Sequence, residues 1–166
     1  MDIKDGMFTS PTLGSLTPKE AALEISKFID EDPDRYYRVV IGSDSQTKIV
    51  DGKNVTDFVT ALVVHRSGRG ARYFWRKQRV EKRPVLREKI FMETLMSLFT
   101  AQEVVPMLRH LIPSSKYDLE VHVDVGPIGP TREMIKEVVG MVNGNGFEAK
   151  TKPDSWGASH VADKHT

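Results

Sequence analysis

The stretch 38–46 most constrains the fold, because an apolar run in it leads directly towards an acidic residue. Val39, Val40 and Ile41 follow one another without a polar interruption, and such runs are typical of strands that are covered on both faces. Asp44 follows three positions after this run. A carboxylate that is buried without a compensating cation or hydrogen-bond donor is costly. We therefore expect a buried strand that delivers Asp44 to a site where it has a partner.

A second segment repeats this pattern later in the chain. Residues 118–124 form another β-rich run that ends in Asp124 and is followed by a valine and a glycine. If the two strands lie side by side, Asp44 and Asp124 converge, and neighbouring carboxylates repel each other unless a cation lies between them. Each aspartate alone is also compatible with an ordinary turn-capping role. Together the two segments predict a metal site at the ends of adjacent strands.

The remaining segments alternate between strand signals and helix signals. Five strands are predicted, at about residues 36–43, 55–65, 71–80, 118–124 and 147–151. Four helices are predicted, from Thr17 to about residue 31, from Pro84 to about His110, from about Thr131 to Val142, and from Asp154 or Ser155 to Asp163.

The order of these elements predicts an α/β fold with one mixed sheet. Short turns join the first three strands, which predicts an antiparallel meander. The later strand–helix–strand unit predicts a right-handed parallel crossover. The expected architecture is therefore a mixed five-stranded sheet, in which the fourth and fifth strands run parallel to the first, with helices on both faces.

Length and composition fit one domain preceded by a loose arm. The chain has 166 residues, and residues 1–16 are rich in Thr, Ser, Pro and Gly without periodicity, so we expect a flexible arm over 1–16 and a single domain over 17–166. The absence of cysteine excludes disulfides, thiolate metal ligands and a cysteine nucleophile. No apolar run is long enough for a membrane span or a signal peptide, so the expectation is a soluble cytoplasmic protein without a membrane partner.

Positive charge is concentrated in one window of the chain. The net charge is only +1, yet residues 66–89 contain ten basic and two acidic residues. Cationic side chains beside aromatic rings are typical of a nucleic-acid groove, whereas a solvated sheet face with long side chains over the rings is the alternative. The residues predicted to bind nucleic acid are Arg72, Tyr73, Trp75, Arg76, Lys77 and Arg79, of which Tyr73, Trp75, Lys77 and Arg79 share one strand face.

Four short segments resemble the ribonuclease H-like fold and, within it, the bacterial YkuK-like family. They are Gly42–Gln46, Leu86–Thr94, His122–Gly126 and Lys152–Thr166. They occur in the expected order on the expected elements, and the resemblance extends from about residue 20 to the end of the chain. In the ribonuclease H-like fold the first and fourth strands lie side by side. The resemblance implies a carboxylate cluster that holds two divalent ions, Mg²⁺ or Mn²⁺, for phosphodiester hydrolysis.

The resemblance also assigns individual residues to this cluster. It implies that Asp44 on the first strand, Glu93 on the first long helix, Asp124 on the fourth strand and Asp163 on the last helix are the metal ligands and catalytic residues. The last position varies between aspartate and asparagine across the wider fold. Helical periodicity does not choose between Glu93 and Glu88, because each falls within an apolar sector of the helix. The resemblance favours Glu93 and leaves Glu88 as a neighbouring acid or a salt-bridge residue.

Two histidines lie near these positions. His160 precedes Asp163 by three residues and shares its helix face, so it is a candidate metal ligand or proton shuttle, with an ordinary surface residue as the alternative. His122 alternates with two valines on the fourth strand and is predicted to be a hydrogen-bonded histidine of the sheet rather than a ligand.

The sequence therefore favours a metal-dependent nuclease in which the metals activate water for phosphodiester hydrolysis. A non-catalytic nucleic-acid-binding module and a metal-dependent hydrolase of a small phosphorylated molecule are the alternatives. The chain has no phosphate-binding P-loop, no dinucleotide fingerprint and no nucleophile-elbow serine. The choice among RNA, DNA and hybrid substrates, between endonuclease and exonuclease action, and the oligomeric state are left open by the sequence.

Overall fold

The structure, a computed structural model, describes residues 6–155 and 157–166, with the side chains at 157, 159, 160 and 163 outside the description. The strands are β1 (Phe8–Ser10), β2 (Gly14–Leu16), β3 (Tyr37–Val50), β4 (Lys53–Arg66), β5 (Ala71–Val80), β6 (Tyr117–His122) and β7 (Glu148–Lys150). The α-helices are α1 (Pro18–Glu31), α2 (Leu86–Leu111), α3 (Ile135–Gly144) and α4 (Gly157–Lys164). No helix in the described part of the chain is long and apolar enough to cross a membrane.

The strands form one mixed sheet in the order β2-β1-β5-β4-β3-β6-β7. Antiparallel pairing joins β3 to β4 and β4 to β5, which is the meander that the sequence predicts. β6 runs parallel to β3, and β7 runs parallel to β6, as the crossover rule requires. The five predicted strands are therefore present, but the described sheet has seven strands because β1 and β2 extend it.

Residues 8–16 correct the expectation of a flexible arm over residues 1–16. They form a hairpin in which β1 pairs with β2, and Thr9 of β1 pairs with Trp75 of β5. The side chain of Phe8 is fully buried, and the guanidinium of Arg76 lies 4.6 Å from the centre of its ring. Strands of three residues are too short to show an alternating pattern, and their Thr, Ser and Gly content is equally typical of a loop. Residues 1–5 of the expected arm lie outside the described residues.

Two apolar cores lie on opposite faces of the sheet. The larger core contains residues of α1, α2 and α3 together with Val39 and Ile41 of β3. The smaller core contains Val40 of β3 and residues of α4, including Ala158 and Ala162. Successive side chains of a strand point to opposite faces, so the uninterrupted apolar run in β3 is required by helices on both sides. This confirms the prediction of a strand that is buried on both faces.

The first helix begins where the sequence predicts. The hydroxyl of Thr17 accepts a hydrogen bond from the backbone N–H of Glu20 at 3.1 Å, and the Glu20 carboxylate accepts one from the backbone N–H of Thr17 at 3.1 Å. This reciprocal capping box satisfies two N–H groups that have no partner within the helix. It fixes the point at which the chain leaves the hairpin and enters α1.

A close contact sets the distance between the sheet and α4. A Cβ atom at Gly42 would lie 2.8 Å from the Cβ atom of Ala158, which is closer than two carbon atoms can approach. Glycine at this position therefore allows α4 to pack directly on β3. The same helix carries the backbone of Asp163.

We expect Gly42→Ala to lower the free energy of unfolding by about 1–3 kcal/mol, because the added methyl group forces α4 away from β3. The matched control is Gly140→Ala in α3, where a Cβ atom meets nothing within 4 Å. Alanine there is expected to stabilise the helix by about 0.5–1 kcal/mol. Urea unfolding of the two variants measures both effects. A Gly42→Ala variant as stable as the parent protein would contradict this account of the sheet–helix spacing.

Candidate metal centre

Parallel pairing of β3 with β6 brings the segments that carry the two predicted aspartates side by side, but neither strand ends where the sequence predicts: β3 continues past Asp44 to Val50, and β6 ends at His122, before Asp124. The pairing ends with Gly42 opposite His122, and Asp44 and Asp124 each follow two residues later. Both are partly buried. Asp44 is still within β3, where it pairs with Val59 of β4. The alternation of β3 places it on the face that is covered by α4.

Glu93 lies on α2, which packs on the face of the sheet opposite to α4. It lies in the middle of α2 and is only 4% exposed. The hydroxyl of Ser45 donates a hydrogen bond to its carboxylate at 2.6 Å. One turn further along α2, the hydroxyl of Ser97 lies 2.7 Å from that of Ser43. Hydroxyl groups on one face of β3 therefore hold α2 in place and fix the position of the buried carboxylate.

The three carboxylates influence one another electrostatically. Burial, together with the negative charges of Asp44 and Asp124, raises the pKa of Glu93 to about 8. The hydrogen bond from Ser45 and the charge of Lys89 act in the opposite direction. Because both aspartates change the pKa of Glu93, all three groups share one electrostatic neighbourhood. A cation placed among them would remove the penalty for ionising Glu93.

The structure gives Glu93 and Glu88 different environments. The Glu88 carboxylate lies 2.8 Å from the ammonium of Lys82, and its side chain is 38% exposed. It forms a surface salt bridge, which contributes little to stability. Only Glu93 of the two points from α2 into the polar groups of β3. The structure therefore places the carboxylate of Glu93, and not that of Glu88, against the hydroxyl of Ser45, the residue that follows Asp44.

The fourth predicted ligand lies on the helix that faces Asp44. The backbones of His160 and Asp163 belong to α4, but their side chains lie outside the described residues, so their position in the site stays a prediction. Among the side chains that are described, no three acidic or histidine groups converge as a metal ion requires. The donor set does fit Mg²⁺ or Mn²⁺ in chemistry, because it consists of carboxylate oxygens from several elements.

A lysine that the sequence analysis did not select contacts one of the aspartates. The ammonium of Lys152 lies 2.8 Å from the carboxylate of Asp124. Lys152 follows β7 by two residues, and β7 is the neighbour of β6 in the sheet. The parallel pairing of two strands is the signal that could have placed this cation beside Asp124.

The residues predicted to bind nucleic acid do not form one surface. Tyr73 and Trp75 lie on the face of α4, where both rings are partly buried against the smaller core. The ring of His165 stacks on Trp75 at 4.3 Å between ring centres and lies 5.9 Å from Tyr73. The C-terminal segment therefore covers one side of the aromatic pair that the sequence analysis assigned to base stacking.

Two of the predicted arginines are engaged in contacts within the chain. Arg79 donates two hydrogen bonds to the fully buried carboxylate of Asp57, at 2.7 and 3.0 Å, and Lys48 lies 2.7 Å from the same group. These cations hold the pKa of Asp57 well below its usual range. Arg76 lies on the opposite face, where it contacts Thr100 and Glu103 of α2.

The other two predicted cations are exposed on different faces. Arg72 lies over the ring of Phe28 of α1, at 4.8 Å from its centre. Lys77 is exposed on the face of α4. Burial lowers the pKa of His165, and the charges of Lys164 and Lys77 lower it in the same direction. The six predicted residues are thus divided between the two faces of β5, as the alternation of any strand requires.

His122 is buried in the sheet, as the sequence analysis predicts. Its Nε2 atom lies 3.0 Å from the carboxylate of Glu120, whose other oxygen lies 3.5 Å from Arg38. Burial lowers the pKa of His122. Its Nδ1 atom has no hydrogen-bond partner in the described structure. The expected hydrogen bonding is therefore satisfied at one of the two ring nitrogens.

An apolar cavity of about 560 Å³ lies between α2 and strands β4 and β5. The apolar residues that line it are Phe58, Met92, Leu95, Met96 and Phe99. Phe58 pairs with Ser45 across β3 and β4, so the cavity begins one strand away from the Glu93 contact. Leu95 and Phe99 were visible in the sequence as apolar residues of α2, but periodicity could not show that they line an open cavity.

These features define a class of α/β proteins in which an antiparallel β-meander and a parallel neighbouring strand form one mixed sheet with helices on both faces. A family model described as Ribonuclease H-like matches residues 20–166. The chain therefore belongs to the ribonuclease H-like family. It is also 33% identical over 171 residues to a Bacillus subtilis (strain 168) protein with the name uncharacterized protein YkuK, and the match covers 96% of each chain. No solved structure matches the chain significantly. The resemblance on which the sequence analysis relied is confirmed.

Glu93→Gln is expected to make stability less dependent on pH in chelator-treated protein. The folded-state pKa of Glu93 is raised from 4.5 to about 8, so its favourable contribution is complete below about pH 4.5 and is lost as the pH rises through about 8. The glutamine variant lacks this loss and should be more stable than the parent by up to a few kcal/mol at about pH 8.5, but not at about pH 4.5. Urea unfolding at both pH values measures the difference. Glu88→Gln is the matched control, and an equal effect there would contradict the assignment.

Arg79→Met is expected to destabilise the fold by about 1–3 kcal/mol, because the buried carboxylate of Asp57 keeps only Lys48 as a cationic partner. Lys77→Met, two residues earlier on the same strand face, should change the free energy of unfolding by less than about 0.5 kcal/mol. Chemical denaturation of the two variants provides the comparison. Equal stabilities would show that Arg79 is not a structural residue and would return it to the candidates for nucleic-acid contact.

Proposed function

We propose that the protein is a Mg²⁺- or Mn²⁺-dependent nuclease that hydrolyses phosphodiester bonds in nucleic acid. The observation that carries this proposal is the buried Glu93 in a ribonuclease H-like chain. Its pKa is raised by burial and by the charges of Asp44 and Asp124. A carboxyl group that is largely protonated at neutral pH loses its proton and becomes a ligand when a cation binds beside it. The proposed ligands are Asp44, Glu93, Asp124 and Asp163.

The chain's own residues would prepare this site for two ions. The pairing of β3 with β6 ends two residues before Asp44 and Asp124, and the Ser45 hydroxyl orients the carboxylate of Glu93. Ligands that are held by strands and helices, as Asp44 and Glu93 are, need little rearrangement when the ion binds. When bound, paired divalent ions supply an activated water and stabilise the leaving oxygen.

The basic window supports a polyanionic substrate, although by fewer residues than the sequence analysis selected. Arg76 and Arg79 are held by carboxylates of the chain. Exposed cations of the window for which the described structure provides no carboxylate within ion-pair distance are better candidates for phosphate contacts. These are Arg69, Arg72, Lys77 and Arg83.

Calorimetric titration of Mn²⁺ into the parent protein and into an Asp44→Asn/Asp124→Asn double variant tests the site. We expect about two ions to bind to the parent protein and none to bind tightly to the variant. Single-stranded and double-stranded RNA, DNA and RNA–DNA hybrid should then be incubated with both proteins, with Mg²⁺, Mn²⁺ or a chelator. Cleavage is expected only with the parent protein and only with metal. The double variant, purified in the same way, controls for contaminating nucleases.

Other outcomes would replace the proposal with one of its alternatives. Absence of Mn²⁺ binding to the parent protein, even with polynucleotide present, would exclude the two-metal nuclease. Salt-sensitive binding of nucleic acid without cleavage would favour a non-catalytic binding module, because phosphate contacts weaken steeply as salt rises. Saturable hydrolysis of a phosphomonoester without polymer binding would indicate a small-molecule hydrolase.

A further inference from the structure

We infer that Lys152 is an internal competitor of the divalent metal at Asp124. This inference rests on the proposed function, because it concerns the same carboxylates. The ammonium of Lys152 lies 2.8 Å from one carboxylate oxygen of Asp124, with the side chains 56% and 34% exposed. A metal that binds Asp124 must displace this ammonium or share the carboxylate with it. Either event lowers the affinity for the metal, because displacement costs the ion pair and sharing leaves a positive charge beside the metal.

The backbone places this lysine beside Asp124. The N–H of Val123 donates to the carbonyl of Lys150 at 2.9 Å, and the N–H of Lys152 donates to the carbonyl of Val125 at 2.8 Å. These bonds continue the pairing of β6 with β7 beyond the last residue of either strand. Residue 152 is therefore held next to the segment that carries Asp124, and its position does not depend on the salt bridge alone.

Gly126 makes room for the stem of the lysine. A Cβ atom at Gly126 would lie 3.0 Å from the Cβ atom and 3.4 Å from the Cδ atom of Lys152. The stem of Lys152 thus lies along a surface without a side chain, which directs its ammonium back to Asp124. Glycine at this position is consequently part of the arrangement that holds the competing cation.

Because Lys152 is exposed, its ammonium can also contact an anion that approaches from solvent. More than half of the side chain is accessible, so it can leave Asp124 without disturbing the apolar cores. A phosphodiester that approaches the site offers an anionic oxygen in place of the carboxylate. Substrate would thereby release Asp124 to the metal, and the binding of metal and of substrate would favour each other.

The test is calorimetric titration of Mn²⁺ into the intact protein and into Lys152→Met, Lys152→Arg and Lys150→Met. We expect Lys152→Met to bind Mn²⁺ about two- to fivefold more tightly, the range for loss of a partly exposed ion pair. Lys152→Arg keeps the charge and should bind as the parent protein does. Lys150→Met is the positional control, because the Lys150 ammonium lies 2.9 Å from Glu148 instead of Asp124. Circular dichroism of each variant verifies that it is folded.

The outcomes distinguish failure of this inference alone from failure of the proposed function. If the parent protein binds Mn²⁺ through Asp44 and Asp124, and Lys152→Met binds it equally or more weakly, the competition is overturned and the proposed metal site stands. If Lys152→Met binds Mn²⁺ where the parent protein does not, the competition is supported in its strongest form. Failure of both proteins to bind Mn²⁺ would overturn the inference together with the proposed function. Tighter binding by Lys150→Met as well would also overturn it, because the effect would then be one of general charge.

Discussion

The structure depends on strand β3, which has to bury both of its faces and still carry polar groups towards one end. Val39 and Ile41 pack beneath the helices of the larger core, whereas Val40 packs against α4. Further along, the same alternation directs Ser45 to Glu93 of α2 and turns Asp44 towards α4. One strand thus supplies both helical layers and the candidate site between them. A shift of its register by one residue would exchange every one of these partners.

The main elements of the fold were predictable because their signals are long and local. The apolar runs of β3 and β6, the capping box at Thr17 and the turns of the meander each act over a few neighbouring residues. The hairpin over 8–16 was not predictable, because its strands are three residues long and are stabilised by contacts with β5 and by the burial of Phe8. Stabilisation of that kind comes from residues far away in the sequence, and composition does not record it.

Of the candidate site, only the two aspartates that follow the apolar strand segments could be predicted from the residues themselves. Glu93 and Glu88 could not be separated because α2 carries apolar residues on two sides, one facing the core and the other lining the cavity near Phe99. Their partners and burial distinguish them, because Glu93 is buried against Ser45 whereas Glu88 forms a surface salt bridge with Lys82. The partner of Arg79 lies on the neighbouring strand, 22 residues earlier, and the partner of Lys152 lies 28 residues earlier. Pairs of this kind are set by strand register, which depends on how separate strands pack together and not on a local sequence pattern.

The strands at the two edges of the described sheet are much shorter than its central strands. β3 and β4 have 14 residues each, yet the strands at the two edges of the described sheet, β2 and β7, have three. An exposed edge is a template on which other chains can add strands, and a short edge offers few free backbone groups for this. The hairpin pairs with β5 at Trp75 and therefore interrupts the edge of this ten-residue strand. A truncation that removed residues 8–16 would leave that edge uninterrupted and would favour self-association through backbone pairing.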